Sequence, residues 1–298
     1  MEMEMTKKRK QVTVFDIVVY GIAIILLIIV AYPLLLVLSC SISDPALVAT
    51  GEVTLLPKGI NFDGYRQIFK NPDILVGYGN ALFYTVVGTL VNLVVTVPAG
   101  YVLTKKIVPG NKLFMTLFMI TMYFSGGLIP TFLLVNNMGL YNTRFVLLIL
   151  GAFNCYNCII CRSFFAALPK ELEEAAEIDG CSPITTFIKI VVPLSKALLG
   201  VMVLYFAVVH WNSYFNGMVY IKDDALQPLQ VFLRRMLVLA QMQADMDAEA
   251  AEAAQNAANL EALMRYAVIV VSSLPLLMIY PFLQKYFDKG VLIGSVKG

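Results

Sequence analysis

Six apolar runs, each about 20 residues or longer, limit what this chain can fold into. They cover approximately residues 15–41, 80–104, 113–135, 145–165, 194–220 and 263–287. Because lipid offers no partners to backbone polar groups, continuous apolar runs of this length cross a membrane as helices. The chain is 59% apolar and 14% charged, whereas soluble domains average about 45–50% and about 25%. We therefore expect an all-α integral membrane protein with six transmembrane helices.

The basic residues indicate the orientation of these spans. Residues 1–14 form a basic N-terminal segment with four adjacent cations just before the first span, residues 15–41. Basic residues beside a first span hold that end in the cytoplasm. With both termini cytoplasmic, 14 of the 22 Lys and Arg residues lie on the cytosolic side and 8 on the outer side. This topology places outer segments at 42–79 and 221–262, a core membrane domain at 80–288 and a cytosolic tail at 289–298.

Several function classes lack the residues they need. The net charge of +2 is too small to suggest a nucleic-acid partner. The chain has no G-x4-G-K-[S/T] loop to bind ATP phosphates, and its spans hold essentially no Asp or Glu at membrane depth. The second absence argues against an ion-coupled secondary transporter, the main alternative. With His210 as the only histidine and no catalytic motif, we expect no enzymatic activity and energy supplied by a partner.

The cysteines give little functional information. The spacing Cys155-x2-Cys158-x2-Cys161 superficially resembles that of iron–sulfur ligands. It lies in an apolar helix with no candidate fourth ligand nearby, so small packing residues are the preferred interpretation. We predict no metal site.

The polar stretch 169–193, PKELEEAAEIDGCSPITTFIKIVVP, predicts a helix–turn–helix between spans four and five. Pro169 suits the first helical position, and the following glutamates lie near the positive end of the helix. Gly180 can end this helix in the left-handed conformation. Ser182-Pro183 restarts a helix, and Pro193 is expected to end it. One apolar face is predicted on this second helix from Ile184, Phe187, Ile188 and Val191.

This stretch resembles the EAA loop of ABC-importer permeases, E-A-A-x3-G-x9-I-x-L-P. Glu174-Ala175-Ala176, Gly180 and Ile190 to Pro193 match it, with Val192 in place of Leu. The resemblance implies the type I ABC-importer permease fold and a core permease domain of spans two to six. It also implies that the loop meets a groove of a partner ATPase and couples ATP-driven closure to alternating access. The residues implied in this coupling are Glu174, Ala175, Ala176, Gly180, Ile184, Phe187 and Pro193.

The end of the chain resembles a narrower group. Residues 280–287 and 290–298 are similar to permeases for oligosaccharides and polysaccharide-derived sugars, common in Gram-positive bacteria. This implies an oligosaccharide substrate, a plasma-membrane location, a homologous second permease, two ATPase subunits that bind ATP and Mg, and an extracellular solute-binding lipoprotein. A permease for a non-sugar solute is the alternative. The tail, with Gly294, Ser295 and Lys297, is also expected to reach the ATPase.

Polar and aromatic residues in spans four and five are candidates for the substrate path. They are Asn154, Asn157, His210, Trp211 and Tyr214. Sugars need hydrogen-bonding groups and flat aromatic faces, which this set supplies. The alternative is that these side chains join helices together, as is common in membranes.

Overall fold

The computed structural model describes residues 13–105, 109–246, 259, 263–279 and 281, and all regular structure within them is helical. The helices are α1 Val14–Ser41, α2 Pro45–Ala49, α3 Asp63–Lys70, α4 Pro72–Val102, α5 Asn111–Tyr123, α6 Leu128–Asn137, α7 Arg144–Ile149, α8 Cys155–Ala166, α9 Glu171–Ile178, α10 Pro183–Leu194, α11 Lys196–Trp211, α12 Tyr214–Tyr220, α13 Leu229–Met246 and α14 Leu263–Ile279. The all-α class is therefore confirmed for the described part of the chain.

The chain divides into two compact units. Of the described residues, the first unit contains 13–68 and those within 239–270, and the second contains those within 69–238 together with 271–279 and 281. In the first unit, α1 buries only its last three residues, Ser39 to Ser41. The segment after α1 folds back on that end, where the Tyr65 hydroxyl donates to Ser41 Oγ at 2.8 Å. The rest of α1 is apolar on all sides, as a lipid-facing helix is.

Helix α4 is the central element of the second unit, and it packs against α8 and α11. Near its start, Tyr84 belongs to a buried cluster with Val146, Leu147 and Tyr220. At its other end, a second cluster of buried side chains surrounds it. Its members are Val97, Tyr101, Cys161, Phe165, Val191, Leu198, Met202 and Phe206. Helix α4 therefore contributes side chains to both buried clusters of this unit.

Glycines on α4 allow these close helix contacts. A Cβ at Gly88 would overlap the His210 ring, and one at Gly100 would lie 2.6 Å from Cys161 Cβ. Small residues let membrane helices approach closely enough to gain from dispersion contacts. Gly79 lies on the same helix, yet a Cβ there would meet nothing within 4 Å.

Only part of the expected span pattern consists of unbroken helices. Within the described residues, two helices, α1 and α4, are each long and apolar enough to cross a membrane. The number of candidate spans rises to four if each of two bent helix pairs is counted as one span. The pair α5–α6 is bent by 114°, and α10–α11 by 83°. Gly127 lies in the first bend with a φ of +81°, a left-handed conformation that glycine adopts without strain. The number of spans and the side of each terminus stay predictions.

One helix start and the continuity of two spans differ from the prediction. Helix α4 begins at Pro72 rather than residue 80, because the Asn71 side chain caps it by accepting from the Asp73 N–H at 3.0 Å. Pro72 then occupies the first helical position, where its missing N–H costs nothing. The fourth predicted span is interrupted between α7 and α8 at residues 150–154, and the fifth at Ser195 and at 212–213.

Candidate functional site

The first arm of the 169–193 loop is the acidic helix α9. It begins at Glu171 instead of at the predicted Pro169, because the Lys170 carbonyl is the first to accept, from the Glu173 and Glu174 N–H groups at 3.0 Å. The three glutamates of its first turn lie where negative charge is favoured by the helix dipole.

Gly180 ends this helix as predicted. Its φ is +75°, in the left-handed region. The Gly180 N–H donates to the Glu177 carbonyl at 3.0 Å and the Cys181 N–H to the Ala176 carbonyl at 2.9 Å, the two bonds of a Schellman motif. A Cβ at this position would meet nothing within 4 Å, so the backbone conformation alone requires the glycine.

The second arm is α10, and it is not uniformly α-helical. Ser182 caps it as predicted, accepting from the Thr185 N–H at 3.2 Å. Residues 187–191 then form a π-helical turn in which the Val192 N–H bonds to the Phe187 carbonyl. Pro193 does not end this helix, which continues to Leu194 before the chain bends at Ser195. The proline adjoins the π turn, where the bonding pattern is already irregular and its missing N–H costs little.

The predicted apolar face of this arm is divided between two environments. Phe187 and Val191 pack into the cluster around Tyr101, whereas Ile184 is 72% exposed and Ile188 57% exposed. In the helical projection Phe187 and Val191 form one edge of the stripe, and the two isoleucines form the other. One edge therefore holds the arm to the chain, and the other is uncovered.

Uncovered residues continue onto α9, where Leu172 and Ile178 are exposed, Ile178 by 87%. Glu174 and Ala175 are exposed, whereas Ala176 is buried by its own chain. We name Leu172, Glu174, Ala175, Ile178, Ile184 and Ile188 the loop surface. Leu172 and Ile178 are not among the predicted coupling residues, although large aliphatic side chains in so acidic a helix indicate a contact surface.

Aromatic contacts attach the loop to the last turn of α4. The Tyr101 ring lies with its centroid 4.8 Å from that of Phe187 and 5.8 Å from that of Phe165. Just beyond, the Arg162 Nε donates to the Leu103 carbonyl at 3.1 Å. The ends of α4 and α8 and the second arm of the loop therefore form one packed region.

An ion pair attaches the first arm to the same place. Lys105 Nζ bonds Glu173 Oε2 and lies 4.3 Å from the centroid of the Tyr101 ring. Partial burial acts to lower the pKa of Lys105, but the hydrogen bonds with Glu173 and Tyr101 outweigh it, so this pKa lies above its usual value. The pair borders a cavity of about 360 Å³. Its lining is Thr104, Lys105, Phe165, Ala166, Leu168, Lys170 and Glu173.

The predicted substrate-path residues are in part a buried network. His210 Nε2 lies 2.6 Å from Asn92 Oδ1, and the Asn92 amide donates to the Gly151 carbonyl. Because the Asn92 amide is used in this way, its oxygen accepts and His210 Nε2 carries the proton. The network joins α4, α11 and the break before α8. Three further buried hydroxyls of α4, those of Thr85, Thr89 and Thr96, have no hydrogen-bond partner within the described residues.

The remaining predicted path residues have different environments. Trp211 is buried, and its indole N–H donates to the Ser272 carbonyl at 2.8 Å. Asn157 is also buried, and Asn154 caps α8 by accepting from the Asn157 N–H at 3.0 Å. Asn154 is exposed and Tyr214 is partly exposed, and both lie at helix breaks. His210 is thus connected through Asn92 to Gly151, in the break that precedes α8. The five predicted path side chains do not form one cluster.

Two other predictions concern the cysteines and the tail. Cys158 and Cys161 are buried in the packing between helices, and Cys155 Sγ lies 3.2 Å from Thr121 Oγ1. Among the described residues, no group of three His, Cys, Asp or Glu side chains is placed to hold a metal. Gly294, Ser295 and Lys297 lie outside the described residues.

Comparison with known proteins places this geometry in a family. Residues 74–293 match the family described as "Binding-protein-dependent transport system inner membrane component". Protein LplC of Bacillus subtilis (strain 168) is 43% identical over 89% of each chain. The polygalacturonan/rhamnogalacturonan transport system permease protein YtcP of the same organism is 38% identical over 95% of this chain and 98% of its own.

A solved structure agrees. One chain in the crystal structure of a bacterial ABC transporter involved in the import of the acidic polysaccharide alginate superposes with a TM-score of 0.79 at 33% identity, covering 95% of this chain and 99% of that one. The match extends to the whole fold, and the family is one of transport subunits rather than enzymes. This chain belongs to the binding-protein-dependent inner membrane components, the permease subunits of ABC importers, with their type I fold.

Proposed function

We propose that this permease imports oligosaccharides and that the loop surface couples it to a partner ATPase. The observation that carries the proposal is the exposure of aliphatic residues on a loop whose backbone is fixed by Gly180 and Ser182. Exposed apolar residues grouped on one element are characteristic of a site that another protein covers. Membership of the family requires such a partner, because this chain has no phosphate-binding loop of its own.

The roles within the loop follow from exposure. Glu174 offers a charge to a basic residue of the ATPase groove, Ala175 allows close approach, and Ile184 enters the groove. Gly180 fixes the angle between the arms. Phe187 and Ala176 hold the loop to its own chain, and Pro193 adjoins the bend at Ser195. Closure of the ATPase dimer would then move the loop and turn the spans from inward-open to outward-open.

The proposed topology has six spans, both termini cytoplasmic, and outer segments at 42–79 and 221–262. It is supported by the 14 to 8 distribution of Lys and Arg residues. A family member of this kind works with a partner permease, an ATPase and a solute-binding protein. We infer that the permease partner is homologous, that there are two ATPase subunits, and that the binding protein is an extracellular lipoprotein of a Gram-positive plasma membrane. The tail 289–298 is proposed as a second ATPase contact.

The proposed substrate class rests on the relatives. YtcP is named as a permease of a polygalacturonan/rhamnogalacturonan transport system, and the solved structure is of a transporter involved in the import of the acidic polysaccharide alginate. Asn154 and Tyr214 are the accessible candidates along the path, since both lie at helix breaks. Non-helical backbone at membrane depth is tolerated where it lines a water-filled cavity. Asn157, His210 and Trp211 would support these positions from behind.

One experiment tests the proposed function. The chain is co-expressed with the permease, ATPase and binding-protein genes that neighbour it, and the complex is reconstituted in proteoliposomes. Uptake of labelled oligogalacturonates and of neutral arabino-oligosaccharides is then compared. We expect accumulation that needs both ATP and the binding protein. Oligosaccharide flux through the lone chain without nucleotide would contradict the proposal, and uptake of a non-sugar solute alone would correct the substrate class.

A further inference from the structure

The first arm of the loop has few attachments to the rest of the chain. Most of α9 is exposed, and Ala176 is its only residue that is fully buried. The side chains of Lys105 and Glu173 are 29% and 28% exposed, and they form the only ion pair made by α9 within the described residues. A pair shielded to this degree interacts more strongly than one in open water. It is therefore the main polar attachment of this arm.

The cationic partner is itself held at the end of α4. Lys105 lies three residues beyond the last residue of that helix, and its ammonium group sits over the Tyr101 ring. The same ring packs on Phe187 from the second arm. The end of α4 and the residues just beyond it therefore contact both arms of the loop, the first arm through the Lys105 charge and the second through the Tyr101 ring.

Helix α4 can transmit a displacement along its length. Close contact at Gly100 joins it to α8, and the bond between Asn92 and His210 joins it to α11. Movements pass through packed helices and hydrogen-bond networks of this kind when the elements have two arrangements. A force on α9 needs only a firm joint with the end of α4 to reach these contacts.

We propose that the Lys105–Glu173 ion pair is this joint: it positions α9 on α4, so that the displacement of the loop by the ATPase moves α4. The inference rests on the proposed coupling function, and Lys105 and Glu173 are positioning residues that act through α4. Glu173 is distinct from Glu174, which faces away from the chain. A merely structural pair would affect only the amount of assembled complex.

The test follows the movement of α4 directly and needs no sugar. A bimane fluorophore is attached at Gly79→Cys, where a side chain meets nothing within 4 Å, after Cys155 and Cys181 are replaced by serine. The assembled complex in lipid nanodiscs is treated with ATP and vanadate. We expect a fluorescence change in the parent and a loss of at least about five-fold in that change with Glu173→Gln.

Three variants make the outcome specific. Glu171→Gln removes the same charge from the same helical turn but makes no ion pair in the described part of the chain, so the signal should persist. Lys105→Arg keeps the cation and should also keep the signal. The exchange Lys105→Glu with Glu173→Lys should recover part of what Glu173→Gln loses. A full signal in Glu173→Gln overturns the proposal. It is also overturned if only Glu171→Gln and Lys105→Arg assemble, because the ion pair would then be needed for folding rather than for the movement of α4.

A separate arm tests the function on which this inference rests. Ala175→Glu disturbs the loop surface without touching the ion pair. If Ala175→Glu abolishes the fluorescence change and Glu173→Gln keeps it, the proposed role of the ion pair is wrong, but the proposed coupling function of the loop is supported. If Ala175→Glu leaves the nucleotide-driven signal intact, the coupling function itself is wrong.

Discussion

The 169–193 loop and the α4–α11 contact place their polar and apolar residues in opposite ways. The loop exposes large aliphatic side chains, Ile178 at the end of the acidic helix α9 and Ile184 at the start of α10. The α4–α11 contact buries Asn92 and His210 in an apolar environment and closes over Gly88. The loop thus has apolar side chains exposed, and the α4–α11 contact has polar side chains buried.

The difference identifies which surface needs another molecule. Asn92 and His210 bond to each other inside the chain, so their polarity is accounted for without a ligand. Nothing in the described part of the chain covers Ile178 or Ile184. We propose that a partner covers the loop, whereas the α4–α11 contact is satisfied within the chain.

The largest expected effect comes from placing a charge on the loop surface. Ile184→Glu should reduce co-purification of the ATPase by ten-fold or more, because a buried, unpaired charge would cost about 2 kcal/mol or more at a docked interface. Ile60→Glu is the matched control, since Ile60 is also 72% exposed but lies in the segment proposed to face the outer side. Equal ATPase recovery from both variants would remove the distinction between the two regions.

A glycine substitution tests the scaffolding role of the α4–α11 contact. Gly88→Ala should destabilise the purified protein by roughly 1–3 kcal/mol, because the new methyl group overlaps the His210 ring. Gly79→Ala should be neutral or slightly stabilising, since its site is open and alanine favours helix. Thermal melts in detergent measure both, and equal melting temperatures would refute the packing described for Gly88.

A double-mutant cycle tests the hydrogen bond within that contact. His210→Ala leaves the buried Asn92 oxygen without its donor and should cost about 1–3 kcal/mol. Once His210 is absent, adding Asn92→Ala should cost less than it does alone, with a coupling of about 0.5–2 kcal/mol. Additive costs in the same thermal measurement would show that the two side chains do not act as a pair.

The smallest effect is expected at the turn of the loop. Gly180→Ala places a side chain in a left-handed conformation at a cost of about 1–2 kcal/mol, whereas Gly180→Asn should cost less. Hydrogen exchange of residues 171–178 reports this local change. If alanine and asparagine fray the helix equally, the positive φ of Gly180 is not what ends it.

Local signals in the sequence predicted much of the loop. Gly180 and the Ser182-Pro183 start require only the conformational preferences of those residues, and both appear as expected. The π turn at 187–191 has no such local signal. Pro193 was expected to end its helix, but the helix continues past it to Leu194.

Long-range contacts were beyond the sequence. Lys105 and Glu173 are 68 positions apart, and nothing in either segment indicates the other. The sequence identified polar and aromatic residues in the spans but not which of them are buried. Trp211 is buried, for example, whereas Asn154 is exposed. The sequence therefore indicated which residues are unusual but could not determine which of them contact one another.

The proposed contact between the loop and the ATPase can be measured by photocross-linking. Benzophenone maleimide is attached at Glu174→Cys in the assembled complex, after Cys155 and Cys181 are replaced by serine, and mass spectrometry identifies the products of irradiation. We expect cross-links to the ATPase from Glu174→Cys and none from Gly79→Cys. Cross-links from Glu174→Cys that reach only the permease subunits would contradict it.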